Sequence, residues 1–223
     1  MQLINRREFT KLINELGYKR GAEIGVREGH FSKYIVENTN IEKWYSIDPW
    51  ENNPELPNAE VALESAKNMF EPFGERIEMI KGYSPQAADL IEDNSLDFIY
   101  IDGMHTYDEV KADINAWWSK LKDGGILAGH DYHLEDWPGV YDSVNEFVEE
   151  NNLKLNITGT EAPDYQLEHD GWKSSWWFFK SDYWTVKDIN GNGLNKIGNN
   201  RYQSTTTGNI YIYDGDKLNL IAE

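Results

Sequence analysis

The sequence predicts an α/β fold, a doubly wound and mostly parallel sheet that carries a small C-terminal β appendage. Two observations predict this architecture. Along the first 180 residues, apolar positions at helical spacing alternate with short apolar runs that are typical of strands. The chain has 223 residues, of which 39% are hydrophobic, so it is long enough for one sizeable core and too short for two full domains. Strands that alternate with helices form parallel sheets with helices on both faces.

Seven runs are predicted to form the strands of the sheet. The first, residues 22–26, follows a helix whose apolar face includes Phe9, Ile13 and Leu16. The other predicted strands are residues 44–47, 77–80, 96–101, 126–128, 153–157 and 176–179. Apolar positions at helical spacing predict intervening helices around residues 31–35, 62–70, 110–121 and 140–148.

Local signals mark where two of the helices begin. Thr106-Tyr107-Asp108-Glu109 has the Thr-x-x-Glu form of a capping box, in which both side chains bond to free backbone amides. In Ser84-Pro85, the serine is predicted to cap a helix whose first turn tolerates the proline. Gly124-Gly125 is predicted to end the helix that Thr106 begins.

The C-terminal part differs in composition, and we predict a domain of residues 1–184 followed by an appendage of residues 185–223. Residues 181–223 hold five acidic and four basic residues, so they contribute almost nothing to the net charge of −18. Two alternating runs between Ile210 and Leu220 surround Asp214-Gly215, which predicts a β-hairpin. This appendage is a candidate surface for self-association, as a homo-oligomer, or for substrate capture.

Residues 188–193 match the first half of a calcium-binding EF-hand loop. Oxygen-bearing side chains occupy its first, third and fifth positions, and Gly193 occupies the sixth. Asn199 stands at the twelfth position, where such loops carry a bidentate Glu. The pattern therefore favours Asn-Gly turns over a calcium site.

Composition excludes several classes of function. A net charge of −18 repels phosphate backbones, so we expect no nucleic-acid partner. The sequence has no apolar run long enough to span a membrane and no signal-peptide core, so we expect a cytoplasmic protein with no membrane partner. The absence of cysteine rules out disulfides, thiolate metal sites and thiol catalysis.

In parallel sheets, ligands bind beyond the carboxyl ends of the strands, and the first such end carries a glycine motif. It reads Glu23-x-Gly25-x-x-x-Gly29 and leads into a predicted helix. The dinucleotide fingerprint has its middle glycine where this chain has Arg27. The motif therefore favours a nucleoside ligand without a pyrophosphate, or else marks a tight turn that needs glycine for backbone reasons.

The next two strand ends carry single polar residues. Asp48 follows the second strand, where an acid can accept hydrogen bonds from both hydroxyls of a ribose, although an Asp before Pro also forms turns. Ser84 follows the third strand and can meet the edge of an adenine, although capping is the simpler role.

Two acids and two histidines follow the fourth and fifth strands. Asp102 and Asp131 are hard oxygen ligands suited to Mg²⁺, and with the two histidines they also suit a transition metal. His105 or His130 can remove a proton from a hydroxyl whose acidity a metal has raised. The alternative is that these residues only cap and turn the chain.

The aromatic residues fall into two sets. Trp172, Trp176, Trp177 and Trp184 crowd into thirteen positions, which favours a strand whose side chains fill the core over a ring-binding surface. Trp50, Trp137 and residues 160–175 follow strands, so they are the better candidates for a substrate lid.

These residues together resemble the class I S-adenosylmethionine-dependent methyltransferases. The stretch from Leu96 through Asp102-Gly103-x-His105 and Gly124-Gly125 to His130-Asp131-Tyr132 is similar to the group of small domains called methyltransferase 24, which is similar to macrocin-type and catechol-type O-methyltransferases. The resemblance covers residues 8–180 and implies a Rossmann-like fold.

The resemblance implies a role for each candidate residue. S-adenosylmethionine would be bound by the following residues: Glu23, Gly25, Gly29, Asp48, Ser84 and Asp102. Asp102 and Asp131 would hold Mg²⁺ or another divalent cation, and His105 and His130 are the candidate catalytic residues. Catechol-type enzymes have a further acid or amide ligand where this chain has Tyr132, so the site here would draw on His130 or His105, bind a metal weakly, or bind none.

Three functions are compatible with the sequence. The first is O-methylation of a small hydroxylated molecule or a sugar, with or without help from a metal. The second is a non-catalytic module that binds the cofactor or a partner on the same fold. The third, a nicotinamide-dependent oxidoreductase, is disfavoured by the glycine spacing.

Overall fold

The computed structural model describes residues 3–52, 57–159 and 174–180, together with four strands within residues 194–222. The chain divides into two compact units, residues 1–180 and residues 181–223. The predicted boundary between residues 184 and 185 lies outside the described residues.

Helices and strands alternate along the first unit, as the apolar periodicity predicts. The helices are α1 (Phe9–Leu16), α2 (His30–Asn38), α3 (Ala59–Phe70), α4 (Ser84–Ala88), α5 (Tyr107–Trp118) and α6 (Pro138–Glu150). The strands are β1 (Arg20–Ile24), β2 (Lys43–Asp48), β3 (Ile77–Lys81), β4 (Leu96–Ile101), β5 (Leu121–Gly129), β6 (Asn156–Ile157) and β7 (Trp176–Phe179). Short 3₁₀ helices lie at Arg6–Glu8, just before α1, and at Glu71–Arg76.

The seven strands form one mixed sheet in the order β3-β2-β1-β4-β5-β7-β6. Strands β1 to β5 pair in parallel, whereas β7 pairs antiparallel with both β5 and β6. The predicted doubly wound, mostly parallel sheet is confirmed. The strand order reverses between β1 and β4, and this switch point is where ligands bind in such sheets.

Alternation along the strands builds one core on each face of the sheet. In β4, Phe98 and Tyr100 pack with α1 to α3, whereas Ile99 and Ile101 pack with α4 to α6. This follows from the period of two residues in a strand. Helices therefore cover both faces of the sheet, and the polar residues at the strand ends lie at its edge.

The aromatic strand β7 confirms the packing interpretation. Trp176, Trp177 and Phe178 are all buried, and they contribute to both cores because neighbouring residues point to opposite faces. Trp172 and Trp184, which belong to the same aromatic crowding, lie outside the described residues.

The helix-start predictions had different outcomes. At the start of α5, Thr106 Oγ1 accepts from the backbone N–H of Glu109 at 3.4 Å, which confirms the threonine half of the capping box. The Glu109 carboxylate accepts from the Thr106 hydroxyl instead of from its backbone N–H. At the start of α4 the N-cap position is Tyr83, and the Ser84 hydroxyl accepts from Trp117 Nε1 at 2.8 Å. The capping prediction for Ser84 was wrong because a side chain of α5 bonds to the hydroxyl.

The Gly124-Gly125 pair lies inside β5 and does not end a helix, because α5 already ends at Trp118. The β5 strand therefore begins at Leu121, five residues before the predicted start. Hydrogen bonds between these glycines and Lys180, which follows β7, keep this stretch in the sheet.

The second unit contains a four-stranded antiparallel sheet in the order β11-β10-β9-β8. Its strands are β8 (Leu194–Gly198), β9 (Arg201–Ser204), β10 (Ile210–Tyr213) and β11 (Leu218–Ala222). The antiparallel pairing of β10 with β11 confirms the predicted hairpin. The calcium-loop pattern at residues 188–193 lies outside the described residues. Among the helices of the described part, none combines the length and the apolar character that crossing a membrane requires.

Candidate active site

Two glycines shape the loop that follows β1. Gly25 has a φ of +85°, and a Cβ there would lie 2.0 Å from the backbone oxygen of Asp102. Gly29 has a φ of +94°, and its Cβ would lie 2.6 Å from Cζ of Phe70. Residues other than glycine disfavour a positive φ, and neither position has room for a Cβ atom. Gly25 therefore lets the ends of β1 and β4 approach, whereas Gly29 makes room for a side chain of α3.

Asp48, the last residue of β2, connects two loops through hydrogen bonds. Its carboxylate accepts from the backbone N–H of Arg27 at 2.9 Å and from that of Trp50 at 2.6 Å. The indole of Trp50 in turn donates to the carbonyl oxygen of Arg27 at 2.9 Å. Burial raises the pKa of Asp48, although these backbone bonds oppose the shift. The carboxylate thus lies where the ends of β1 and β2 meet.

Glu23 lies inside a buried polar network. Its side chain is 2% exposed and accepts from the hydroxyl of Ser32. That hydroxyl lies 2.9 Å from the Ser46 hydroxyl and 2.7 Å from the indole nitrogen of Trp44. Burial raises the pKa of Glu23 to about 8. Glu23 is therefore a buried acid below the strand ends, with a preference for its neutral form.

Ser84 forms part of a second buried network, which includes an acid that the sequence analysis missed. Asp113 of α5 is 5% exposed and bonds to Ser84, and burial raises its pKa to about 6. Asp113 lies near the switch point, since a Cβ on Gly103 would be 3.4 Å from its Oδ2. The available signal was a carboxylate on the apolar stripe of α5, between Val110 and Trp117.

The other four candidates meet at the ends of β4 and β5. His105 Nε2 lies 3.0 Å from Asp131 Oδ2, and His130 Nδ1 lies 3.2 Å from the same oxygen. His130 Nδ1 is also 3.7 Å from Asp102 Oδ1. Burial alone would raise the pKa of Asp131, but the bonds to both histidines outweigh it and lower the pKa. Asp131 has a φ of +58°, a strained backbone region that is enriched at functional sites.

Arg6 joins this cluster from the 3₁₀ turn that precedes α1. Its guanidinium donates to Asp102 Oδ2 at 2.8 Å, and its side chain is only 10% exposed. It also bonds to the Tyr100 hydroxyl and lies 5.2 Å from the centre of the Phe31 ring. No local pattern in the sequence identifies Arg6 as a site residue, because nothing in the sequence shows that this turn lies over the sheet edge.

The two tryptophans predicted as lid candidates differ in placement. The rings of Trp137 and His105 stack with their centroids 3.9 Å apart, and His105 borders a small pocket together with Asp102 and Asp131. Trp50 is 3% exposed and bonded to the loop after β1, so it is a packing residue of that loop. The third candidate, residues 160–175, lies almost entirely outside the described residues.

The donor set of this cluster fits a divalent cation. Asp102, His130 and Asp131 each offer a ligand atom, and these atoms lie within 4.8 Å of one another. Two carboxylates and one imidazole are the mixed oxygen and nitrogen ligands that Mg²⁺ and first-row transition metals accept. His105 lies beside this set and is held by Asp131, so its ring borders the pocket.

Comparison with known proteins identifies the family. A family model described as a methyltransferase domain matches residues 22–132, which include the strand ends from Glu23 to Asp131. The chain contains a methyltransferase domain. A curated relative of this chain, the uncharacterized protein R132 of Acanthamoeba polyphaga mimivirus, is 31% identical over 132 residues. That match covers 56% of this chain and 58% of the viral protein, so the chain spans little more than half of its relative.

Solved structures share the methyltransferase fold at low sequence identity. An O-methyltransferase from Bacillus cereus in complex with SAH has a TM-score of 0.55 and 14% identity, and the match covers 78% of this chain and 80% of that one. A precorrin-6y C5,15-methyltransferase from Geobacter metallireducens has a TM-score of 0.57 and 17% identity, over 78% of this chain and 87% of that one. These matches extend the methyltransferase fold well beyond residues 22–132.

Proposed function

We propose that this methyltransferase transfers a methyl group from S-adenosylmethionine to a hydroxyl oxygen of a small molecule or a sugar. The observation that carries the proposal is the cluster of Asp102, His105, His130 and Asp131 at the ends of β4 and β5, beside the switch point of the sheet. Asp48 lies two strands away, at the end of β2. A nucleoside at Asp48 would therefore point its reactive end toward the cluster.

Several contacts support the cofactor's orientation. Asp48 is fixed by two backbone N–H groups, so its carboxylate is held in place before a ribose arrives. Gly25 keeps the ends of β1 and β4 close enough for one ligand to touch both. The B. cereus O-methyltransferase of the same fold is a complex with SAH, the demethylated form of this cofactor. We assign Glu23 and Ser84 supporting roles, because both are bonded within buried networks.

On the acceptor side, His105 is our candidate general base. Asp131 holds one nitrogen of its ring, and Trp137 stacks on the ring face, so the imidazole has a fixed orientation. A base fixed at hydrogen-bond distance from a hydroxyl contributes roughly 10²- to 10⁴-fold to a rate. Holding the two reactants at contact distance supplies much of the remaining acceleration of methyl transfer.

Asp102, His130 and Asp131 are the residues that would hold a divalent cation. Such an ion supplies one kind of chemistry here, because it lowers the pKa of a hydroxyl that coordinates it. The two aspartates also stabilise a proton on His105 after it leaves the acceptor, since both carboxylates border the same pocket.

Methyl-transfer assays test this function directly. We expect tritiated methyl to pass from S-adenosylmethionine to a member of a panel of sugars, catechols and polyketide-like alcohols. His105→Ala should lower turnover by about 100-fold or more, because it removes the base. His133→Ala is the matched control, since His133 is 41% exposed and pairs with Asp136 away from the cluster.

The same assay separates the acid–base and metal parts of the proposal. If EDTA abolished the activity and added Mg²⁺ or Mn²⁺ restored it, this result would support a role for the cation. Unchanged activity in EDTA would show that the reaction needs no cation. Full activity of His105→Ala would show that our assignment of the base is wrong.

A non-catalytic cofactor-binding module is the second candidate. It is favoured by the internal bonding of the strand-end acids, since Asp48, Asp102 and Asp131 already have partners within the chain. Tight binding of S-adenosylhomocysteine with no transfer to any panel member would support this reading over the enzyme.

A further inference from the structure

We propose that Arg6 binds the α-carboxylate of the cofactor's amino-acid arm and thereby selects cofactors that carry one. The inference rests on the proposed function, since it concerns the same cofactor. Arg6 lies outside residues 22–132, the part of the chain that the family model matches.

The structure holds Arg6 in place over the switch point. The turn that carries it is closed by Asn5, whose side chain accepts from the Arg7 N–H at 3.0 Å. The guanidinium then reaches across 96 residues of sequence to bond Asp102 Oδ2 at 2.8 Å. Phe31 at the start of α2 lies against its face, with 5.2 Å between the guanidinium carbon and the ring centre. An arginine with only 10% of its side chain exposed is therefore part of the sheet edge.

The distance from Asp48 suits the amino-acid arm. Asp48 ends β2, β1 lies next to it, and Asp102 directly follows β4 on the other side of β1. Two strand spacings separate β2 from β4, which is roughly 10 Å. A ribose held at Asp48 thus leaves the sulfur and the amino-acid arm to cross β1 and end beside Asp102 and Arg6.

The charges of the pair match an amino acid. An α-amino acid presents one ammonium and one carboxylate on the same carbon, and the Arg6–Asp102 pair presents one guanidinium and one carboxylate side by side. A guanidinium is always charged and its fork fits a carboxylate in a bidentate manner. The chain carries a net charge of −18, and acids follow several strands at this edge, so a carboxylate ligand needs a local cation. Arg6 supplies that cation, while Asp102 faces the ammonium.

The alternative is that Arg6 only neutralises Asp102. If the Arg6–Asp102 pair were purely structural, the affinity of the protein for a ligand would not depend on whether that ligand carries a carboxylate. Ligand binding distinguishes the two roles, because a pair of related ligands differs in this one group.

Calorimetry with three adenosine thioethers tests the proposal. S-adenosylhomocysteine carries both charges, its decarboxylated analogue S-adenosyl-3-thiopropylamine carries only the ammonium, and 5′-methylthioadenosine carries neither. We expect the wild-type protein to bind S-adenosylhomocysteine roughly 10- to 100-fold more tightly than the decarboxylated analogue, since that is the usual range for a charged hydrogen bond. In Arg6→Gln this ratio should fall to about one, while the affinity for methylthioadenosine stays the same.

Arg7→Gln is the matched control, because the guanidinium carbon of this neighbouring arginine lies 4.7 Å from the centre of the Tyr34 ring. Arg7→Gln should keep the wild-type ratio, and Arg6→Lys should give an intermediate one. A wild-type protein that binds the two charged ligands equally would overturn the inference, and so would an unchanged ratio in Arg6→Gln. The first result needs no variant, so it stands even if Arg6→Gln fails to fold. A wild-type protein that binds none of the three ligands would instead contradict the proposed function.

Discussion

The acids at the carboxyl edge of the sheet are held in two different ways. In the half formed by β1 and β2, Glu23 and Asp48 bond to a hydroxyl and to backbone N–H groups. In the half formed by β4 and β5, Asp102 bonds to Arg6 and Asp131 bonds to the two histidines. The first half uses neutral partners, whereas the second uses side chains that carry or can carry charge.

This difference separates a rigid half from an adaptable one. Backbone donors are fixed by the path of the chain, so Asp48 keeps its position unless the loops themselves move. The partners of Asp102 and Asp131 are side chains, which are held by packing and not by the path of the chain, so groups of a ligand can replace them. We therefore expect substitutions in the β1–β2 half to change stability or cofactor affinity, and substitutions of Asp131 and its two histidine partners in the β4–β5 half to change turnover.

Gly25→Ala should have the largest effect, because Gly25 is the point at which the two halves touch. An alanine there combines a φ of +85° with a Cβ 2.0 Å from the backbone of Asp102. The expected loss is about 3 kcal/mol or more of unfolding free energy, measured by urea denaturation. Gly17→Ala is the control, since its φ of +69° and ψ of 28° are left-handed but nothing lies within 4 Å of the added Cβ. It should cost about 1 kcal/mol, and equal losses in both variants would contradict close contact between the halves.

Asp131→Asn tests the adaptable half. Asparagine leaves His105 without its anionic partner, so turnover should fall by roughly 100-fold, because an unsupported imidazole is a poorer base. The affinity for S-adenosylhomocysteine should change less than about threefold, since Asp131 lies on the acceptor side. Asp48→Asn is the matched substitution in the rigid half and should weaken S-adenosylhomocysteine binding by about tenfold. A loss of cofactor affinity in Asp131→Asn that matched the loss in Asp48→Asn would erase the distinction between the halves.

Features set by local sequence could be predicted. The N-cap at Thr106 depends on a few consecutive residues, and the strand at residues 96–101 depends on one apolar run, so both predictions are confirmed. The start of β5 was wrong because Gly124-Gly125 is typical of a helix end, while its place in the sheet depends on Lys180, which lies far away in sequence.

The candidate site divides in the same way. Parallel strands bring their carboxyl ends to one edge, so the proximity of Asp102, His105, His130 and Asp131 could be expected from their positions alone. Arg6 and Asp113 could not be found by the same reasoning. The place of Arg6 in the site depends on where a 3₁₀ turn of three residues packs against the sheet. Asp113 is one polar position of a helix in the sequence, and its bond to Ser84 becomes known only from the structure.

Glu23→Gln gives the smallest expected effect and tests whether the rigid half relies on a neutral acid. Burial raises the folded-state pKa of Glu23 to about 8 from an ordinary value of 4.5. Nearby Asp102 adds to the shift and Arg6 opposes it. A raised carboxyl pKa means that the folded state holds the proton more tightly, so this stability is present at low pH and is lost as the pH rises through about 8.

Between about pH 6 and pH 8, the wild-type protein should therefore lose about 2 kcal/mol of stability that Glu23→Gln does not lose, as measured by urea unfolding at each pH. Glu60→Gln in α3 is the control for adding an amide at an exposed position, and it should follow the wild-type curve. If Glu23→Gln also followed the wild-type curve, Glu23 would be ionised in the folded protein. The rigid half would then hold a buried charge, and the contrast with the β4–β5 half would lie in the mobility of the partners alone.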